Sequence, residues 1–120
     1  VTHSIVCDMG YEDLIASQSQ ELRRGTVMLA CLALLDAPSY GYALLETLDN
    51  AGIAVDGNTL YPLLRRLEKQ GLLSSEWNTD ESRPRKFYRT SAEGARVRTR
   101  LTEEWSELAA SMARLTKEDR

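Results

Sequence analysis

The side chains best placed for chemistry are amides, hydroxyls and cations in the middle third of the chain. Leu60, Leu63, Leu64 and Leu67 recur at i, i+3, i+4 and i+7. On a helix they form one apolar stripe, and Asn58, Thr59, Tyr61, Pro62 and Arg65 lie away from it. A second set, Arg83, Arg85 and Lys86, follows in a polar stretch. Guanidinium and amide groups on an exposed helix face can pair with base edges, and cations beside it can neutralise phosphates. The charge distribution agrees. The 120-residue chain has a net charge of −3, yet residues 58–100 carry ten Lys/Arg against five Asp/Glu. Residues 1–57 carry two against eight, and residues 101–120 three against five. A basic island in an acidic protein marks where an anionic partner would bind, whatever the overall sign.

Other chemistries lack their residues. The one histidine, His3, lies near the N-terminus, and no glycine-rich phosphate loop or nucleophile-and-base spacing is present. An enzyme is therefore not expected, and no cofactor or metal is assigned. Cys7 and Cys31 are far apart in sequence, and Cys31 sits in an apolar segment where a thiol packs as a small hydrophobe. His3 with Cys7 offers at most two ligands, too few for a metal sensor. Two cysteines make no disulfide framework, so a reducing cytoplasm is the expected location. The longest apolar run, residues 27–35, has nine residues, well short of the roughly 18–20 of a membrane span. The first eight residues read as a frayed lead-in with no secretion signal.

The elements that must position these groups follow from periodicity and punctuation. Tyr11, Leu14 and Ile15 predict a helix over 9–20 after Asp8 as a cap. A second helix over 22–35 is apolar nearly all round from Val27 and should form the buried centre. Pro38 ends it. Ser39 is expected to cap a third helix over 40–50, with Ala43, Leu44 and Leu48 inward. Gly57 and Asn58 open the fourth, 59–70, with Pro62 in its first turn and Gly71 as the left-handed closing residue. Two short strands, 72–78 and 85–90, flank a turn without apolar residues. Thr90 to Glu93 fits a capping box for a long helix reaching Leu115. Along it Val97, Leu101, Trp105, Leu108, Met112 and Leu115 follow at spacings of 4, 4, 3, 4 and 3, a narrow coiled-coil-like seam.

The expected fold is mainly α with a small two-stranded β-hairpin: a winged helix-turn-helix with a long C-terminal dimerisation helix. The expected division is residues 1–20 as a lead-in and helix, 21–90 as the DNA-binding domain and 91–120 as the dimerisation helix. Two copies paired along the seam, with Leu14 and Ile15 as further contacts, would bury an apolar stripe that is a liability when exposed. Their recognition helices would match a pseudo-palindromic site in double-stranded DNA. The rival reading is a winged helix that binds proteins through the same face; its wing should carry apolar anchors, whereas this one carries Arg83, Arg85 and Lys86. Trp105 on such a seam reads first as packing.

Residues 22–26 (Leu-Arg-Arg-Gly-Thr), Ser39-Tyr40-Gly41-Tyr42, the run from Asn58 to Leu73 and Pro84-Arg85-Lys86-Phe87-Tyr88-Arg89-Thr90 together resemble the PadR family of bacterial transcriptional regulators, as does Trp105. The likeness extends over about residues 20–115, and the single long C-terminal helix matches the family's short form. The resemblance implies a recognition helix beginning near Asn58, with Thr59, Tyr61 and Arg65 at DNA. It implies phosphate contacts from Tyr40 and Tyr42 and a wing at Arg83, Arg85 and Lys86. It also implies a homodimeric repressor, with Trp105 at a dimer pore that accepts a planar aromatic effector which releases the DNA.

Overall fold

A computed structural model describes residues 10–80 and 82–117. Helix α1 spans Tyr11–Leu34, followed by strand β1 (Ser39–Tyr40), helix α2 (Gly41–Asn50), helix α3 (Gly57–Lys69), strands β2 (Leu73–Asn78) and β3 (Arg85–Thr90), and helix α4 (Ala92–Leu115). Over the described residues the architecture is four helices with a small antiparallel sheet in the order β1-β3-β2.

Three expectations about the elements are corrected. The two N-terminal helices are a single 24-residue helix, α1. Between positions 20 and 24 the sequence offers Gln, Glu, Leu and Arg, all good helix formers, and Gly25 alone costs only about 1 kcal/mol. Asp8, expected as its cap, lies outside the described residues; the N-cap is Gly10, with Glu12 and Asp13 favourably placed in the first turn. The sheet has three strands instead of two. Ser39 does not cap α2 but pairs with Tyr88, and Tyr40 with Phe87. Finally, Ser91 caps α4 by accepting from the Gly94 amide at 3.0 Å. Thr90, expected in a capping box with Glu93, is the last residue of β3, where its buried hydroxyl donates to the Leu32 carbonyl at 2.8 Å.

The core is a leucine cluster assembled from three helices and the sheet, with half-buried Val97 of α4 packed against it. Val27, Cys31, Leu32 and Leu35 come from α1 and its end, Leu44 and Leu48 from α2, the four-leucine stripe from α3, and Leu73 and Tyr88 from the sheet. Cys31 is fully buried, and desolvation pushes its thiol up to about 12. Gly71 closes α3 with a φ of 81°, the left-handed geometry that favours glycine.

Helix α4 is fixed at its base. The Ser91 hydroxyl donates to the Gly71 carbonyl at 2.7 Å, and the Ser91 amide donates to the Leu72 carbonyl at 3.0 Å. A side chain at Gly94 would place its Cβ 2.1 Å from that same Leu72 oxygen, so only glycine permits this approach. One turn on, Arg98 donates to the Asp36 carboxylate and the Leu32 carbonyl, tying α4 to the end of α1. Beyond Leu101 the seam emerges from the domain. Val97 and Leu101 are half-buried, whereas Trp105, Leu108, Met112 and Leu115 are 50%, 64%, 53% and 69% exposed.

Candidate nucleic-acid interface

The outward face of α3 is set by its inward one. With all four leucines of the stripe buried, Asn58, Thr59, Pro62 and Arg65 are exposed. Asp56, which the sequence reading did not single out, caps the helix by accepting from the Thr59 amide at 2.9 Å. The signal was present as an Asp three residues before a Thr at a helix start. Because α3 begins at Gly57, Pro62 lies in the second turn and not the first. It has no N–H to give to the Asn58 carbonyl, which lies on the exposed side.

Tyr61 does not project freely. It is half-buried, its ring wedged between two glycines. A Cβ on Gly41 would come within 2.4 Å of Tyr61 Cε1, and one on Gly57 within 3.0 Å of Cε2. The ring thus occupies space that only glycine leaves, and it holds the start of α3 against the start of α2.

The wing is joined to α2 by an aromatic column. Tyr40 and Tyr42 stack with centroids 5.6 Å apart and planes 13° from parallel. Phe87 meets Tyr40 edge-on at 5.8 Å. Asn78 Nδ2 donates to the Tyr40 hydroxyl at 2.6 Å, and an Arg85 guanidinium nitrogen donates to the Tyr42 hydroxyl at 2.7 Å. The Arg85 guanidinium carbon is also 4.9 Å from the Tyr42 ring centre. Tyr42 itself is 53% exposed, so the column presents a tyrosine to solvent with the half-buried Arg85 against it.

The three wing cations have different positions. Arg83 is exposed in the turn and Arg85 is half-buried at the column. Lys86 instead turns towards α3, where it pairs with Glu68 at 3.1 Å and lies 5.2 Å from the Tyr88 ring centre. The Ser75 hydroxyl also donates to Glu68. That hydrogen bond and Lys86 hold the Glu68 carboxyl below its ordinary range, and the bond to Glu68 holds the Lys86 ammonium above its own. Glu68 and Asn78 were not among the expected residues. Their partners lie 18 and 38 positions away, beyond the reach of any local pattern.

A short helix, a turn, a second helix with an outward polar face, and a hairpin beside it with exposed cations define a winged helix-turn-helix of the DNA-binding class. The chain belongs to the transcriptional regulator PadR-like family, whose model matches residues 28–100. It is 38% identical over 86 residues to transcriptional regulator Rv3488 of Mycobacterium tuberculosis, covering 71% of this chain and 78% of that protein. Among solved structures it is similar to a PadR family transcriptional regulator from Eggerthella lenta, with 47% identity and a TM-score of 0.84 over 92% of this chain and 99% of the other. It is also similar to a PadR-like transcription factor from Bacteroides fragilis, with 30% identity and a TM-score of 0.69 over 83% and 99%. Among the described residues no helix is long and apolar enough to cross a membrane.

Proposed function

We propose that the protein is a cytoplasmic repressor that binds a pseudo-palindromic operator as a homodimer, by recognition and not by catalysis. The observation that carries this reading is the set of polar and basic groups left at the surface by α3 and the wing. Asn58, Thr59 and Arg65 on α3 are exposed, as are Tyr42, whose hydroxyl accepts from Arg85 at the wing root, and Arg83 in the turn. Asn58 and Arg65 suit base edges, and Tyr40, Tyr42, Arg83 and Arg85 suit the phosphates alongside. Tyr61 and Pro62 shape the helix that presents them. Lys86 is committed to Glu68 and leaves the anion contacts to the other cations.

The dimer reading rests on the exposed end of α4 and on Ile15 and Leu22, exposed on α1. Leu14 is half-buried beside them. Four exposed seam positions on a projecting helix need a partner, and a two-fold pairing supplies one. Trp105, half-exposed within that seam, would offer a planar aromatic effector a stacking surface at the interface.

The test is fluorescence anisotropy on DNA from the gene's own upstream region across a salt series. Specific binding should weaken steeply with salt, since each neutralised phosphate adds about 0.9 to the log–log slope. Arg65→Ala should cost about 1–3 kcal/mol on the operator and little on unrelated DNA. Binding no tighter to the operator than to random DNA at low salt would refute the reading and leave a protein partner as the object of that face.

A further inference from the structure

A cleft of about 480 Å³ lies between α1, residues 54–56 and α3. Its apolar surface is provided by Val27 and Leu63, both buried, and half-buried Val55. Arg23 and Arg66 stand at its border, and neither makes an ion pair among the described residues. Arg24, also lining it, is paired with Glu21 at 2.8 Å. The one carboxylate in the lining, Asp56, accepts the Thr59 amide. The cleft thus joins an apolar floor to two uncommitted guanidinium groups, and its volume falls within the roughly 300–1,000 Å³ of small-molecule sites.

We propose that this cleft binds a small amphipathic organic anion, an aliphatic carboxylate, and that its occupancy acts on α3. Guanidinium groups recognise carboxylates through paired, charge-assisted hydrogen bonds. Val27, Val55 and Leu63 would take the hydrocarbon body. Thr59 lines the cleft and sits in the first turn of α3, so a ligand filling it touches the element that carries Asn58 and Arg65. The site is distinct from Trp105, whose ring surface suits flat aromatic compounds. Ligand binding stands independently of the DNA reading; only its effect on α3 rests on that reading.

The experiment is calorimetric titration of the full chain with octanoate, in the absence of DNA, with octan-1-ol as the uncharged comparator. Octanoate should bind and octanol should bind at least about tenfold more weakly, a loss of about 1.4 kcal/mol. The double variant Arg23→Gln with Arg66→Gln should lose a similar factor, with an unchanged melting temperature because both side chains are exposed. Trp105→Ala should bind octanoate as the wild type does. The site assignment is overturned if octanoate gives no heat at millimolar concentration, if the arginine variant binds normally, or if Trp105→Ala abolishes binding. Loss of DNA affinity in the arginine variant without octanoate binding would reassign Arg23 and Arg66 to phosphate contacts. If octanoate binds but leaves operator affinity unchanged, the coupling to α3 fails and the site stands.

Discussion

Adding a single methyl group at Gly41 tests how α3 is held. In Gly41→Ala the new Cβ lies 2.4 Å from Tyr61 Cε1, 3.2 Å from Cδ1 and 3.4 Å from Cζ. The ring cannot retreat, because the space on its other side is closed by Gly57, where an added Cβ would lie 3.0 Å from Cε2. Overpacking of this kind costs about 1–3 kcal/mol. Alanine's better helix propensity returns at most about 1 kcal/mol, and less at the first residue of α2. The net expectation is about 1–2 kcal/mol of destabilisation. The assay is urea unfolding followed by circular dichroism at one fixed protein concentration, so that self-association contributes equally to every variant. The midpoint should fall with the slope unchanged. A double-mutant cycle identifies the cause: Tyr61→Ala removes the obstacle, so the double variant should be more stable than the sum of the single losses predicts by about 1 kcal/mol or more. A Gly41→Ala protein as stable as the wild type, or losses that simply add, would refute the clamp.

Three further outcomes follow from the same geometry. Gly94→Ala meets a backbone carbonyl instead of a ring and should destabilise by about 3 kcal/mol, at the upper end of overpacking costs, read by thermal unfolding. Cys31 has its thiol raised from 9.0 to about 12, so the folded state holds that proton more tightly than the unfolded chain. The stability this confers is complete below about pH 9 and is lost as pH rises towards about 12, by as much as about 4 kcal/mol; Cys31→Ala should show a flatter alkaline limb. Glu68 is held below its ordinary range, so its contribution is present above that range and is lost as pH falls through the lowered value. Glu68→Gln should flatten the acid limb, and by freeing Lys86 it should steepen the salt dependence of DNA binding by about one phosphate.

How much was legible depended on whether a residue's partner was near in sequence. The leucine stripe of α3 fixed which face is buried, because its period is internal to one helix. Pro38 and Gly71 marked ends for reasons contained in their own backbones. By contrast β1 is two residues long and exists only because β3 lies alongside, so Ser39 read as a cap. Thr90 read as a cap too, since nothing local shows that the Leu32 carbonyl waits for its hydroxyl. The division of α1 into two helices came from reading the stretch that is apolar nearly all round from Val27 as a separate buried helix. At the candidate interface, the exposure of Asn58, Thr59 and Arg65 was readable from periodicity. The commitments of Lys86 to Glu68 and of Tyr61 to its two glycines were not, because each partner arrives from another element.

The anchorage of α4 has a mechanical consequence. Its 24 residues extend about 36 Å from a base secured at Ser91, Gly94 and Arg98. A rod held at one end is a lever, and here a tilt of about 5° at the base moves the free end by about 3 Å. The gearing also runs backwards. A displacement of a few ångströms at the Leu115 end becomes a rotation of only a few degrees where Ser91 and Gly94 bear on Gly71 and Leu72, the corner where α3 ends. Stiffness at that joint, more than contact along the rod, sets how far a push on the far end can turn α3.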